Sequence, residues 1–233
     1  MRMRWTMLAV GALAFGATGR ATAQRSWAIT PYVTYVMPSG NLVEGIFLNL
    51  ETAAGVNVGI QGEVALAKQL ALAGHAASTL GLSSATTFVF DPTGASTSTE
   101  FANAWTQFGA TLILRPLGTL PNGAPKTFWL EGGAEMTRYG LAAPVDRTAG
   151  GGSDLSWSGS WVSAVAGAGF TFRLTPRLTA NVFGRYSFAL SEYSSPGLDD
   201  WNSPCPDPND ATCVDFGQKV NLLQIGVGIR AGR

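Results

Sequence analysis

The sequence predicts an all-β chain that closes into an antiparallel transmembrane barrel of about eight strands behind a cleavable signal peptide. Three observations lead there. The first residues are laid out for export, the dominant hydrophobic period after them is two, and the connections between the period-two segments alternate between long and short.

Arg2 and Arg4 precede an apolar run from Met7 to Ala17, and Ala21-Thr22-Ala23 supplies small residues for cleavage. The run is shorter than the roughly 20 apolar residues that a spanning helix needs. The expected organisation is a signal peptide at 1–23 and one barrel domain at 24–233. After residue 23 no stretch of 18 or more uninterrupted apolar residues occurs, which excludes a helical membrane topology. Without Arg2, Arg4 and Arg20 the chain keeps twelve basic against fifteen acidic side chains, a balance that does not suit a nucleic-acid partner.

Period-two alternation marks eight segments: Trp27 to Met37, Val56 to Ala67, Leu70 to Leu82, Ala102 to Arg115, Phe128 to Tyr139, Trp161 to Leu174, Arg177 to Leu190 and Lys219 to Arg230. Arg177 to Leu190 is the clearest. Leu178, Ala180, Val182, Gly184, Tyr186, Phe188 and Leu190 form an apolar row, and Thr179, Asn181, Arg185 and Ser187 alternate with it. The links run long at 38–55, short at 68–69, long at 83–101, moderate at 116–127, long at 140–160, very short at Thr175-Pro176 and long at 191–218. Short turns at one end and long loops at the other are the pattern of a membrane barrel rather than a soluble sandwich.

Charge follows the same polarity. Glu44, Glu51, Asp91, Glu100, Asp146, Asp154, Glu192, Asp199, Asp200, Asp207, Asp210 and Asp215 fall in or beside the long links, whereas Arg25, Lys68, Arg115, Lys126, Arg173, Arg177, Arg230 and Arg233 sit near the termini or short turns. The remaining carboxylates lie within strands. A charge facing lipid at the midplane costs roughly 2 to 4 kcal/mol for Arg or Lys, so the charged rows are expected to face inward. In so narrow an interior they need partners. Glu63, Glu131 and Glu135 are therefore expected to pair with some of Arg115, Arg173, Arg185 and Arg230. Gln61, His75, Asn103, Gln107, Asn181 and Gln224 supply further lumen hydrogen bonds, and the whole plugs the barrel.

Other chemistry is weakly signalled. Glu131 and Glu135 share a strand face, but four residues of extended chain separate their Cα atoms by roughly 13 Å, too far for a general acid/base pair by themselves. His75 has no neighbouring cysteine or carboxylate in sequence, and parity sets Ser78 on the opposite face, so neither a metal site nor a local His/Ser dyad is expected. Trp27, Phe128, Phe170 and Phe172 read as one aromatic girdle, and Tyr35, Tyr186 and Phe188 as another. Trp105, Trp129 and Trp161 have inward parity; they either narrow the lumen or belong to strand ends above the membrane. Cys205 and Cys213 are close enough in sequence, in an exported chain, for a disulfide. The acidic loop 199–215 around them lacks the spacing of a calcium-binding loop and reads as solvated.

With these features together, the chain resembles the small outer-membrane barrels of the OmpA, OmpX and OmpW type over residues 25 to 233. The resemblance is one of architecture, carried by the signal, the period-two strands ending in Val227-Gly228-Ile229-Arg230, and the alternating loops. It implies a bacterial outer-membrane location and contact with outer-membrane lipid and lipopolysaccharide; no cofactor and no enzymatic activity are expected. The expected role is structural, or adhesive towards an extracellular partner met by the long loops. A narrow solute channel is the first alternative. A lipid-modifying enzyme is the second, and it would require His75 to meet a serine or an acid from another strand.

Overall fold

The computed structural model describes residues 26–45, 48–51, 54–79, 82–89, 96–120, 123–142, 156–192, 214–215 and 219–232. The expected signal peptide and the Cys205–Cys213 disulfide lie outside them. The strands in chain order are β1 (Trp27–Ser39), β2 (Asn41–Gly45), β3 (Leu48–Glu51), β4 (Gly55–Ala67), β5 (Leu70–Thr79), β6 (Leu82–Val89), β7 (Ser96–Leu114), β8 (Phe128–Ala142), β9 (Ser156–Arg173), β10 (Leu178–Ala189), β11 (Val214–Asp215) and β12 (Asn221–Gly232).

Eight of these close a barrel. β1, β4, β5, β7, β8, β9, β10 and β12 each pair antiparallel with the next, and β12 returns to β1, which leaves no open edge among the staves. Stepping sideways from Ala28 through the partners Glu63, Ala73, Thr111, Gly133, Val165, Ser187 and Leu222 returns to β1 at Pro38, ten residues further along. With a rise of about 3.3 Å per residue and strands about 4.8 Å apart, that stagger tilts the staves by roughly 40°.

The two faces of each stave separate cleanly. Trp27, Ile29, Val33 and Tyr35 of β1 are exposed while Ala28, Thr30, Tyr32, Thr34 and Val36 are buried, and the same alternation runs through β4, β5, β10 and β12. From Trp27 to Met37 the outward face of β1 climbs about 25 Å along the axis at this tilt, the height of a bilayer's apolar band. The outward rows carry no charge until Arg138, which is exposed near the loop end of β8. Phe128 packs at a tilt against Phe170 at the turn end (centroids 5.6 Å apart), and Tyr186 meets Phe188 further up (4.4 Å).

The long links are not plain loops. β6 continues the line of β5 and pairs with the upper half of β7, β3 pairs with β6, β2 with β3 and β11 with β2, so the sheet extends past the barrel at the loop end. These strands escape a period-two search because beyond the bilayer neither face needs to be apolar. Their signal is Thr and Val content, as in Leu82-Ser83-Ser84-Ala85-Thr86-Thr87-Phe88-Val89. At the opposite end the turns are tight: Leu174 and Thr175 both donate backbone bonds to the Leu178 carbonyl (3.1 and 3.0 Å).

Inward glycines make room for the larger side chains. A Cβ on Gly59 would sit 2.4 Å from the Tyr32 ring, one on Gly109 2.4 Å from the His75 ring, and one on Gly169 2.4 Å from the Trp129 ring. Outward Gly62 would meet nothing within 4 Å. Gly59→Ala is expected to lower stability by about 1–3 kcal/mol through overpacking, and Gly62→Ala to stay within about 0.5 kcal/mol. Urea unfolding in detergent micelles measures both; equal effects would refute this account of the glycines.

Candidate functional site in the barrel lumen

Inward side chains line the lumen in tiers, and β8 shows their order. Trp129, Glu131, Glu135, Thr137 and Tyr139 are buried at inward positions from the turn end to the loop end, with Gly133 at the inward position between the two glutamates.

The lowest tier centres on Glu63. One carboxylate oxygen, Oε1, accepts from Arg115 Nη2 at 2.9 Å and from the guanidinium of Arg230. In sequence these three are far apart. The barrel unites them because Arg115 directly follows β7, Glu63 lies near the turn end of β4 and Arg230 near the turn end of β12.

In the second tier Arg185 holds Glu131 bidentately, with Nε to Oε1 at 2.7 Å and Nη2 to Oε2 at 3.2 Å. Arg185 Nη2 also donates to Gln61 Oε1 (3.2 Å), and Thr111 Oγ1 donates to Glu131 Oε2 (3.4 Å). The guanidinium carbon lies 5.5 Å from the centre of the Phe183 ring, which meets Tyr32 edge-on at 5.7 Å and Trp129 at 6.2 Å. Phe183 and Tyr32 were invisible to a reading that sought polar residues inside. Parity alone would have placed both in the lumen.

The third tier joins His75 of β5 to Glu135 of β8, with Nε2 and Oε2 3.2 Å apart. Gln107 Nε2 donates to Glu135 Oε1 at 3.2 Å and receives on its own Oε1 the Asn57 Nδ2 donor at 2.8 Å. Above it, Trp105 packs edge-on against Tyr139 (4.6 Å) and Trp161 (5.7 Å). Thr79 Oγ1 accepts from the Trp105 backbone N–H at 3.1 Å. These tryptophans narrow the lumen. Asn181, lower down on β10, accepts from Thr171 Oγ1 at 3.0 Å.

Three sequence expectations need correction or restriction. Arg173 is exposed at the end of β9 beside the tight turn, and it is not among the guanidiniums that reach the three glutamates. Its parity is inward, but the stave ends there and the side chain meets solvent. Gln224 is buried on β12, yet its amide has no hydrogen-bond partner among the described residues, so it does not support the ion pairs. Asn103 pairs through its backbone with Leu82 and Leu141 in β7, and its side chain lies outside what is described.

The link of moderate length at 116–127 has an ordered structure of its own at the turn-end mouth. After Arg115 the chain folds on itself: Lys126 N–H donates to the Gly118 carbonyl (3.1 Å), Leu120 N–H to Ala124 (2.7 Å) and Gly123 N–H to Leu120 (2.9 Å). Gly118 and Gly123 take φ of 80° and 73°, which side chains with a Cβ resist. Ala124 is wholly buried, and the open side of Gly123 faces Ser26 Oγ and Arg230 Nη2. The loop therefore lies against the Glu63 tier.

His75 does meet an acid from another strand. The imidazole and carboxylate are 1% and 0% exposed, however, and the imidazole Nδ1 contacts no hydroxyl among the described residues.

Among solved structures the chain is similar to the outer-membrane protein OprG from Pseudomonas aeruginosa, with 12% identity, a TM-score of 0.53, and coverage of 90% of this chain and 96% of that one. The chain has the fold of the small eight-stranded outer-membrane β-barrels. It is also similar to Neisserial surface protein A (13% identity, TM-score 0.49, 88% and 96% covered) and to the outer membrane protease OmpT from Escherichia coli (10%, 0.47, 93% and 99%). No protein-family model and no curated protein matches.

Breaking one partner of a buried pair leaves a bare charge in the lumen. Arg185→Leu and Glu131→Leu should each cost about 3–5 kcal/mol, and the double variant clearly less than their sum. Unfolding midpoints of the four proteins in micelles report this, and additive effects would show that the two side chains act independently.

Proposed function

We propose that the chain is a non-enzymatic protein of the bacterial outer membrane, with a closed lumen and acidic loops turned to the cell exterior, in a structural or surface-interaction role. The observation that carries the closed lumen is the stack of inter-strand contacts inside the barrel: Glu63 with Arg115 and Arg230, Glu131 with Arg185, Glu135 with His75, and the Trp105, Tyr139 and Trp161 cluster. Each tier joins side chains from different staves, so a hydrated ion would have to break a desolvated pair to pass. The loop carrying Gly123 and Ala124 supports the same reading from the turn end.

Sidedness follows from the termini. In an exported barrel with an even strand number both ends and the short turns face the periplasm. Glu44, Glu51, Glu100, Glu192 and Asp215 then belong to the outward end, with Lys68, Lys126, Arg173 and Arg177 at the periplasmic rim. Contact of the belt with phospholipid and lipopolysaccharide belongs to the same proposal, as does an extracellular partner for the loops.

Purified protein in planar bilayers should give no steady unitary current. Steady currents abolished by Arg185→Leu would establish the channel alternative instead. Overexpression should leave lipid A chemically unchanged in mass spectra of extracted lipid, and a new acylated or deacylated species would overturn the non-enzymatic reading.

A further inference from the structure

At the turn end a cleft of about 820 Å³ opens between the β4–β5 turn and the folded loop after β7. Lys68 and Gln69 line one wall, and Thr119, Leu120 and Lys126 the other. The walls are fixed to each other, since the Arg115 N–H donates to the Gln69 carbonyl at 2.8 Å and Lys126 is tied to Gly118. Both lysines are exposed and neither forms an ion pair among the described residues. The carboxylate described at this end, Glu63, is already bound by two arginines. The cleft thus concentrates positive charge with no counter-ion of its own.

Its position beside the belt narrows the ligand. Leu66, two residues before Lys68, is exposed on the outward face, as are Leu114 and Leu117. A ligand seated here meets two ammonium groups, a few polar groups and, immediately above, a greasy wall. The volume lies in the range of small-molecule sites and exceeds what a bare phosphate fills.

Resting on the outer-membrane reading, we propose that this cleft binds the headgroup of an anionic phospholipid of the periplasmic leaflet. Lys68 and Lys126 hold the phosphate from opposite walls, and the acyl chains run along Leu66 and Leu114.

The test uses the full mature chain in nanodiscs of phosphatidylcholine doped with phosphatidylglycerol, followed by native mass spectrometry of the lipids retained on release. Insertion is checked first by protease protection of the strands, and a chain that does not insert overturns the membrane reading and this site with it. Wild type should retain phosphatidylglycerol over phosphatidylcholine by about tenfold, as two lysines at a lipid surface allow. The K68Q/K126Q variant should lose that preference, and R177Q, altered at the same rim outside the cleft, should keep it. Short-chain phosphatidylglycerol should bind well ahead of glycerol phosphate. Unchanged retention in K68Q/K126Q, or equal loss in R177Q, would overturn the cleft. Glycerol phosphate binding as tightly as the lipid would overturn the lipid as its occupant.

Discussion

In hydrocarbon a backbone N–H or C=O has no water to turn to, so every amide of a spanning chain must find its partner within the protein. The pairing of β12 with β1 meets that demand, and much else in the molecule follows from it. Once the sheet is closed, its stagger sets the tilt and the tilt sets the belt height. Eight staves leave an interior only as wide as the side chains that fill it.

That narrowness makes the interior a problem in both volume and charge. Glycines at 59, 109 and 169 yield space to Tyr32, His75 and Trp129 from neighbouring staves. Charges admitted to the same space must be matched closely, because each buried unpaired ion costs several kcal/mol. Glu63 between two guanidiniums and Glu131 in the fork of Arg185 are solutions to this constraint.

The staves were legible because a barrel wall between lipid and a polar lumen imposes a two-residue period on every strand. Arg177 to Leu190 could hardly be read otherwise. The lumen residues were legible for a related reason: a charge such as Arg185 inside an apolar strand has nowhere else to point. Partner choice was not legible, since Glu63 and Arg230 are brought together by the stagger, which no single strand encodes. Arg173 shows the limit of parity, which gives the facing of a residue but not whether the wall continues beside it. The strands beyond the bilayer, β2, β3, β6 and β11, have water on both sides, and the periodic signal ends where the lipid does. The loop over the mouth was missed because its order comes from Gly118, Gly123 and contacts made to both chain ends.

Those contacts also bear on how the molecule is assembled. Gly123 comes against Ser26, just before the first stave, and against Arg230, on the last. The two lie side by side only once β1 and β12 have paired. The loop is therefore a latch on the seam: it can engage both only after the circle has been completed, and once engaged it ties the link after β7 to the first and last staves. Opening the barrel from its terminal strands must first release a segment about a hundred residues along the chain from each of them, which makes separation of β1 from β12 a concerted event rather than a gradual peeling.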